Sequence, residues 1–374
     1  MNKYAFISLL FPNKKGDCTY LDGALLTALG LRKQKTKYKI ICMTTPDISQ
    51  EIKEILKIVY DEVIVVDYIS PLKKAKIKIQ GDIFHEDSYK NENEYTDICN
   101  VFTKLHIFNS ELFPYDKVVF VDNDLIPIKD FDLLFDLDTP AGWLEQIEEL
   151  LNNNSDYYTR IWGIWKNIKH NEIIPKKLTE VHEKPGSSIN AGLLVIKPDI
   201  NIFNDMIKQL QTPVNLWIGN NFKFKGWINY RGIKVNKYMG EQDYLTQYFS
   251  GDWKMIDGSY CAWGFFNNID TMGVHMAGLK WYINNKPKFY KTWMLQMSKD
   301  DDLNDITNEI GIWGLENYPS LKNILFKHLK IIIFEKIISI NDIDKLNFIL
   351  LNEKQQKLYE ILQRKNSNFI KSLY

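Results

Sequence analysis

Apolar positions fall in short blocks whose period alternates between strand and helix from the first residues onward. "YAFISLL" (4–10) is an apolar run broken by one serine, which predicts a strand buried on both faces. In "YLDGALLTALGLRKQ" (20–34), Leu21, Leu25, Ala28 and Leu29 recur at helical spacing. "YKIICMTT" (38–45) predicts a second strand, closed by Pro46. "DISQEIKEILKIVYDE" (47–62) sets Ile48, Ile52, Ile55, Leu56 and Val59 on one helical face, with Asp47 or Ser49 as its cap. "EVIVVDYI" (62–69) predicts a third strand. "YTDICNVFTKLHIFNSELF" (95–113) predicts a helix stopping before Pro114, and "KVVFVDND" (117–124) a fourth strand. Strands alternating with helices predict an α/β fold, with a mostly parallel central sheet and helices on both faces.

The pattern then changes. Residues 145–185 hold polar and aromatic pieces of helical character, "EQIEELLNNN" and "RIWGIWKNIKH". "SSINAGLLVIKP" (187–198) returns to a strand, "DINIFNDMIKQLQ" (199–211) to a helix, "GEQDYLTQYF" (240–249) to a short helix, and "MGVHMAG" (272–278) to a strand and turn. Beyond about residue 300, past the acidic link "KDDDLND", the chain becomes rich in Ile, Leu and Lys and reads as helices. The predicted organisation is a catalytic domain over 1–295, with halves 1–125 and 126–295, and a helical extension over 296–374.

Charge and composition narrow the functional classes. The 374 residues carry 47 basic and 47 acidic side chains, so no net field attracts nucleic acid or an anionic membrane. Cys18, Cys42, Cys99 and Cys261 are widely spaced, which predicts reduced thiols and a cytoplasmic location. The opening "MNKYAFISLLFPNKK" has too short an apolar run for a leader and no small-residue cleavage site. No stretch reaches the length of a membrane span, since Glu335 and Lys336 interrupt "KIIIFEKIISI". The lysine run "LKKAKIKI" (72–79) reads as a solvated edge.

The candidate chemistry begins at Asp122-Asn123-Asp124, where an apolar strand ends on two carboxylates. Side chains two apart on an extended chain point the same way, so both can face one divalent cation. D-N-D is also good turn chemistry. Two metal-phosphate chemistries fit: a nucleotide-sugar transferase, or a haloacid-dehalogenase-like phosphatase with Asp122 as nucleophile. The second usually has Thr or Val soon after the second Asp, where Leu125 stands, and places this strand near the start of its domain.

Eight blocks occur in one order: "AFISLL" with "YLDGAL", "YDEVIVVD", "FTKLHIF", "YDKVVFVDND", "DFDLLF", "SINAGLLVIKP", "GEQDYLTQYF" and "VHMAGLKW". Over residues 4–285 this resembles the glycogenin-like family of retaining glycosyltransferases, family 8. The resemblance implies a GT-A fold, a UDP-sugar donor (glucose as the working hexose), a glycan or protein acceptor, and Mn²⁺, with Mg²⁺ as the alternative. It implies Asp122, Asp124 and His275 as metal ligands and Asn123 beside the donor ribose. Leu9 and Tyr20 would contact uracil, although "FPNKKGDCT" (11–19) is longer than the family's loop. Lys104, Asn190 and Ala191 would lie near the donor sugar, and Gln242 nearest the anomeric carbon. Glu241, where the family usually has Asp, and Asp243 would be electrostatic partners. Gly278 and Lys280 would meet the diphosphate, in a block shorter than the family's and lacking its proline.

Gln242 is a poor nucleophile, so retention by same-face attack is expected rather than a covalent intermediate. Residues 145–185 and the aromatics Trp217, Phe222, Phe224, Trp227 and Tyr230 are candidates for acceptor recognition. Glycogenin itself glucosylates its own tyrosine, and a self-glucosylating primer is the other reading for a chain with 20 tyrosines. An inactive, sugar-binding relative would be expected to lose Asp122, Asp124, His275 or Gln242, and all four are present. The C-terminal helices are candidates for packing on the core, for a homodimer contact or for partner binding.

Overall fold

A strand with apolar side chains on both faces needs cover on both, and the central strands here have that character. The computed structural model describes residues 3–12, 18, 20–69, 77–79, 100–146, 168–179, 187–211, 216–218, 227–230, 233–236, 240–261, 271–275, 310–311, 313–314 and 316–321. The strands are β1 (Tyr4–Leu10), β2 (Lys39–Thr44), β3 (Glu62–Val65), β4 (Ile77–Ile79), β5 (Lys117–Val121), β6 (Leu125–Pro127), β7 (Ala141–Gln146), β8 (Ser187–Ile196), β9 (Leu216–Ile218), β10 (Trp227–Tyr230), β11 (Ile233–Asn236), β12 (Lys254–Met255) and β13 (Gly273–His275). The helices are α1 (Leu21–Lys33), α2 (Gln50–Leu56), α3 (Lys176–Thr179), α4 (Ile200–Gln211) and α5 (Gly240–Tyr248).

Seven strands form one sheet in the order β12-β7-β8-β5-β1-β2-β3. β5, β1, β2 and β3 run parallel to one another, and β12 runs parallel to β7. β8 is antiparallel to both its neighbours, β5 and β7. Leu10, Ile41, Met43, Val118, Val119 and Phe120 are wholly buried, as a sheet covered on both faces requires. Separate two-stranded pairs join β6 to β13, β10 to β11 and β4 to β9. Compact units divide at Met1–Ile310 and Gly311–Tyr374. In the second, the Tyr318 amide donates to the Gly314 carbonyl at 2.7 Å, a single helical turn. The expected domain boundary at 295/296 falls outside the described residues.

The expected helices α1, α2, α4 and α5 are present, and Ser49 is the cap of α2, its Oγ accepting from the Ile52 amide at 3.3 Å. Two expectations are corrected. The helix expected over 95–113 is, in its described part, a 3₁₀ helix over Val101–Phe108. Asn109 is extended and its Oδ1 accepts from the amides of Glu111 and Leu112, which turns the chain before Pro114. Glu145 and Gln146, assigned to a helical piece, belong to β7, because Ser188 and Ser187 pair with them. The end of the lysine run, Ile77–Ile79, forms β4 in a two-stranded pair with β9, its Lys78 opposite Trp217. The rest of 147–167 and 180–186 lies outside the described residues.

Gly30 of α1 shows how tightly the helix seats on β6. A Cβ there would fall inside the van der Waals shell of the Pro127 carbonyl oxygen. Elsewhere in a helix, Gly→Ala is worth roughly 1 kcal/mol of added stability. Here the obstacle is backbone, so Gly30→Ala is expected to lower the melting temperature of the purified chain. A melting temperature above wild type would show that α1 can back away from β6.

Candidate active site

Where β5 ends, Asp122 to Leu125 close a β-turn, with the Leu125 amide donating to the Asp122 carbonyl at 3.0 Å. Thr27 of α1 clamps this turn, its Oγ1 donating to the Leu125 carbonyl at 2.9 Å. The D-N-D segment is therefore a genuine turn as well as a carboxylate pair. Leaving the turn, β6 pairs with β13, and His275 stands opposite Leu125. That pairing brings His275 Nε2 to 3.3 Å from Asp124 Oδ1, both side chains nearly buried.

The neighbouring strand β8 is irregular at the same level. Its pairing with β7 jumps from Gly142↔Leu194 to Trp143↔Asn190, so Ala191, Gly192 and Leu193 have no partner on β7. A bulge of this kind re-aims backbone and side chains. Its buried polar groups still need partners. The Ala191 amide donates to Gln242 Oε1 at 3.1 Å, and the Ala191 carbonyl accepts from Lys104 Nζ at 2.9 Å. The Gly192 amide donates to Asn190 Oδ1, and the Gly192 carbonyl accepts from the Asp122 amide, each at 2.8 Å. Four of the predicted site residues thus hold the bulge in place.

Lys104 comes from the 3₁₀ helix and is 3% exposed. Its Nζ lies 3.1 Å from Glu241 Oε1 and 3.3 Å from Asp122 Oδ2, over the Phe120 ring. Burial works against its charge, but Asp122 and Glu241 outweigh burial and raise its pKa. At Asp122, burial, Asp124 and Glu241 push the carboxyl upward and outweigh the pull of Lys104 and His275. At His275, burial opposes the charge, yet Cys261 and Asp124 carry its pKa well above the ordinary histidine value. The cluster holds an excess of negative charge that a cation would relieve.

Ligands on adjacent corners of an octahedral ion at about 2.1 Å stand about 3 Å apart. The 3.3 Å between Asp124 and His275 matches that span, and Asp122, drawn to Lys104, lies in the same turn. Among the described residues, no three His, Cys, Asp or Glu side chains already close round a common point.

Asn123 is buried and donates from Nδ2 to the Leu9 carbonyl at 2.7 Å, which ties the turn to β1. Tyr20 leads into α1, its carbonyl accepting from the Ala24 amide. Gln242 also donates from Nε2 to Ser188 Oγ at 2.7 Å. Gly278 and Lys280 lie outside the described residues, as do Phe222 and Phe224. Asp243 lies on α5, its side chain outside the description; Trp227 and Tyr230 lie on β10. Sequence reasoning missed Ser188, Gly192 and Cys261. The glycine inside "INAGLL" was a legible bulge signal; the other two had none.

Removing Lys104 would leave Asp122 and Glu241 facing each other in the interior. Lys104→Met is therefore expected to cost about 3–5 kcal/mol in denaturant unfolding. With its folded pKa above 10.5, the Lys104 charge contributes its full stability below that value and loses it as pH climbs through the raised pKa. Lys104→Met should accordingly flatten the alkaline limb of stability against pH. Unchanged unfolding would show that the three-way contact is energetically neutral.

The chain is similar to known proteins along most of its length. The Glycosyl transferase family 8 model matches residues 15–312. The uncharacterised protein R707 of Acanthamoeba polyphaga mimivirus is 29% identical over 328 residues, 87% of this chain and 95% of its own. Galactinol synthase 6 of Arabidopsis thaliana is 26% identical over 264 residues, 69% of this chain and 64% of that protein, so the chain spans just under two thirds of that relative. Glycogenin-1 of Homo sapiens is 29% identical over 136 residues, 36% of this chain and 33% of its own. Among solved structures, the glycosyltransferase GlyE of Streptococcus pneumoniae superposes with a TM-score of 0.40 at 15% identity, covering 83% of this chain and 63% of that one. The mixed, mostly parallel sheet with flanking helices is the α/β architecture expected from the sequence. With the family match extending over most of its length, the chain belongs to glycosyl transferase family 8.

Proposed function

We propose that this protein is a metal-dependent, retaining hexosyltransferase that moves a hexose, glucose as the working donor, from a UDP-sugar to a glycan or protein acceptor. The observation that carries this reading is the meeting of Asp124 with His275 at the carboxyl end of β5, beside Asp122, Lys104, Asn190 and Gln242. In an open α/β sheet that edge is where ligands bind.

In this reading Asp122, Asp124 and His275 hold Mn²⁺, with Mg²⁺ as the alternative; an imidazole in the donor set favours Mn²⁺. When bound, the ion supplies charge stabilisation to the departing diphosphate. Leu9 and Tyr20 flank the base, and Asn123, fixed by the Leu9 carbonyl, is offered to the ribose. Gly278 and Lys280, expected to meet the diphosphate, lie outside the described residues.

Both ends of the Gln242 amide are committed to β8, which suits a residue that orients the donor rather than attacks it. Glu241 is likewise held by Lys104. These engagements favour same-face attack, in which the departing phosphate oxygen takes the acceptor hydroxyl's proton while that hydroxyl's oxygen bonds to the anomeric carbon. Trapping a glycosyl adduct on Glu241 or Asp243 would overturn this route. Family membership speaks against the phosphatase alternative for Asp122. The primer reading differs only in its acceptor, one of the chain's own tyrosines.

Thermal melts with UDP are expected to show stabilisation that requires Mn²⁺. Stabilisation by UDP that is indifferent to Mn²⁺ would count against a metal-held diphosphate. Asp124→Asn should abolish that metal-dependent part and bring Mn²⁺-dependent UDP-sugar hydrolysis below about a tenth of wild type. Hydrolysis above that level would deny Asp124 a direct ligand role.

A further inference from the structure

His275 has a second neighbour that neither the sequence nor the proposed chemistry uses. Cys261 ends the 3₁₀ turn Gly258–Cys261 and is wholly buried. Its Sγ lies 3.4 Å from His275 Nδ1 and 4.0 Å from Asn190 Oδ1. The other ring nitrogen, Nε2, is the one that faces Asp124. The geometry points to Cys261 as the positioning residue that fixes the tautomer and ring angle of His275. The inference rests on reading His275 as a metal ligand.

A ring that offers its Nε2 lone pair to an ion keeps its proton on Nδ1, and a buried N–H requires an acceptor. The Cys261 sulfur is in place to accept it. The thiol hydrogen is then directed toward Asn190 Oδ1, which also accepts the Gly192 amide. The ring also passes close to Gly192, where an added Cβ would lie 3.0 Å from Cε1 and 3.2 Å from Nε2. The imidazole thus has a sulfur at Nδ1 and a glycine, with no side chain to displace it, beside Cε1 and Nε2. Metal-binding histidines usually turn their second nitrogen to a carboxylate, carbonyl or water. A carboxylate here would place a further acid beside a cluster already holding Asp122, Asp124 and Glu241; the Cys261 sulfur offers an acceptor without one.

The test separates hydrogen bonding from space filling. Cys261→Ser keeps an acceptor in a smaller volume; Cys261→Val keeps the volume without an acceptor. Mn²⁺ affinity in the presence of UDP is read from the electron paramagnetic resonance signal of the free ion. Cys261→Val is expected to weaken Mn²⁺ binding about tenfold or more, and Cys261→Ser to stay within about threefold of wild type. Wild-type affinity in Cys261→Val, or equal weakening in both variants, overturns the positioning role. Should Cys261→Val fail to fold, Cys261→Ala takes its place in the comparison with Cys261→Ser. A wild-type chain that takes up no Mn²⁺ sinks the metal reading along with this one. A wild type that binds it while Cys261→Val is unaffected sinks this inference alone.

Discussion

A buried amide or carbonyl that leaves a β-ladder has to be met elsewhere, at a cost of about 1–3 kcal/mol if it is not. Strand β8 leaves its ladder with β7 at Ala191–Leu193, in the middle of the sheet. The groups that meet it are the side chains of Gln242, Lys104 and Asn190 and the amide of Asp122. The fold's need to satisfy that backbone and the site's need to hold polar side chains rigidly are served by the same contacts. α5 is fastened to β8 again through Thr246, whose Oγ1 accepts from the Ile189 amide and donates to the Gln242 carbonyl. The helix bearing Glu241 and Gln242 is therefore held at two heights.

The electrostatics follow from the same crowding. Asp122, Asp124 and Glu241 are gathered within reach of one lysine and one histidine. Lys104 is raised because two carboxylates share it, and Asp122 is raised because one shared lysine does not offset its neighbours and its burial. Gathering three carboxylates round one lysine and one histidine in a buried place costs stability.

Much of the sheet was legible because continuous apolar runs admit few alternatives: β1, β2, β5 and β8 were read directly from their Val, Ile and Leu content. The carboxylate pair stood out by itself, as two acids ending an apolar strand, whereas His275 became a candidate only through the order of blocks, since a lone histidine before Met276 says nothing of Asp124. Of the short strands, β13 was read from "MGVHMAG", but β6 was not: its three residues are too few to establish a period, and the pairing of the two sets the Asp124–His275 distance. The 3₁₀ helix was mistaken for a longer α-helix because 3.0 and 3.6 residues per turn look alike over eight positions, and because capping by Asn109 competes with continuation.

The clamp of Thr27 on the Asp122–Leu125 turn has a consequence for synthesis. β1, α1 and β5 all lie within the first third of the chain, so the acidic turn can be seated early as the polypeptide emerges from the ribosome. Glu241, Cys261 and His275 are translated more than a hundred residues later. Until they arrive, the nascent chain carries an anionic rim at its sheet edge without the strand that will cover it. Bringing Glu241, Cys261 and His275 back to the turn closes long loops, the entropically costly kind of contact.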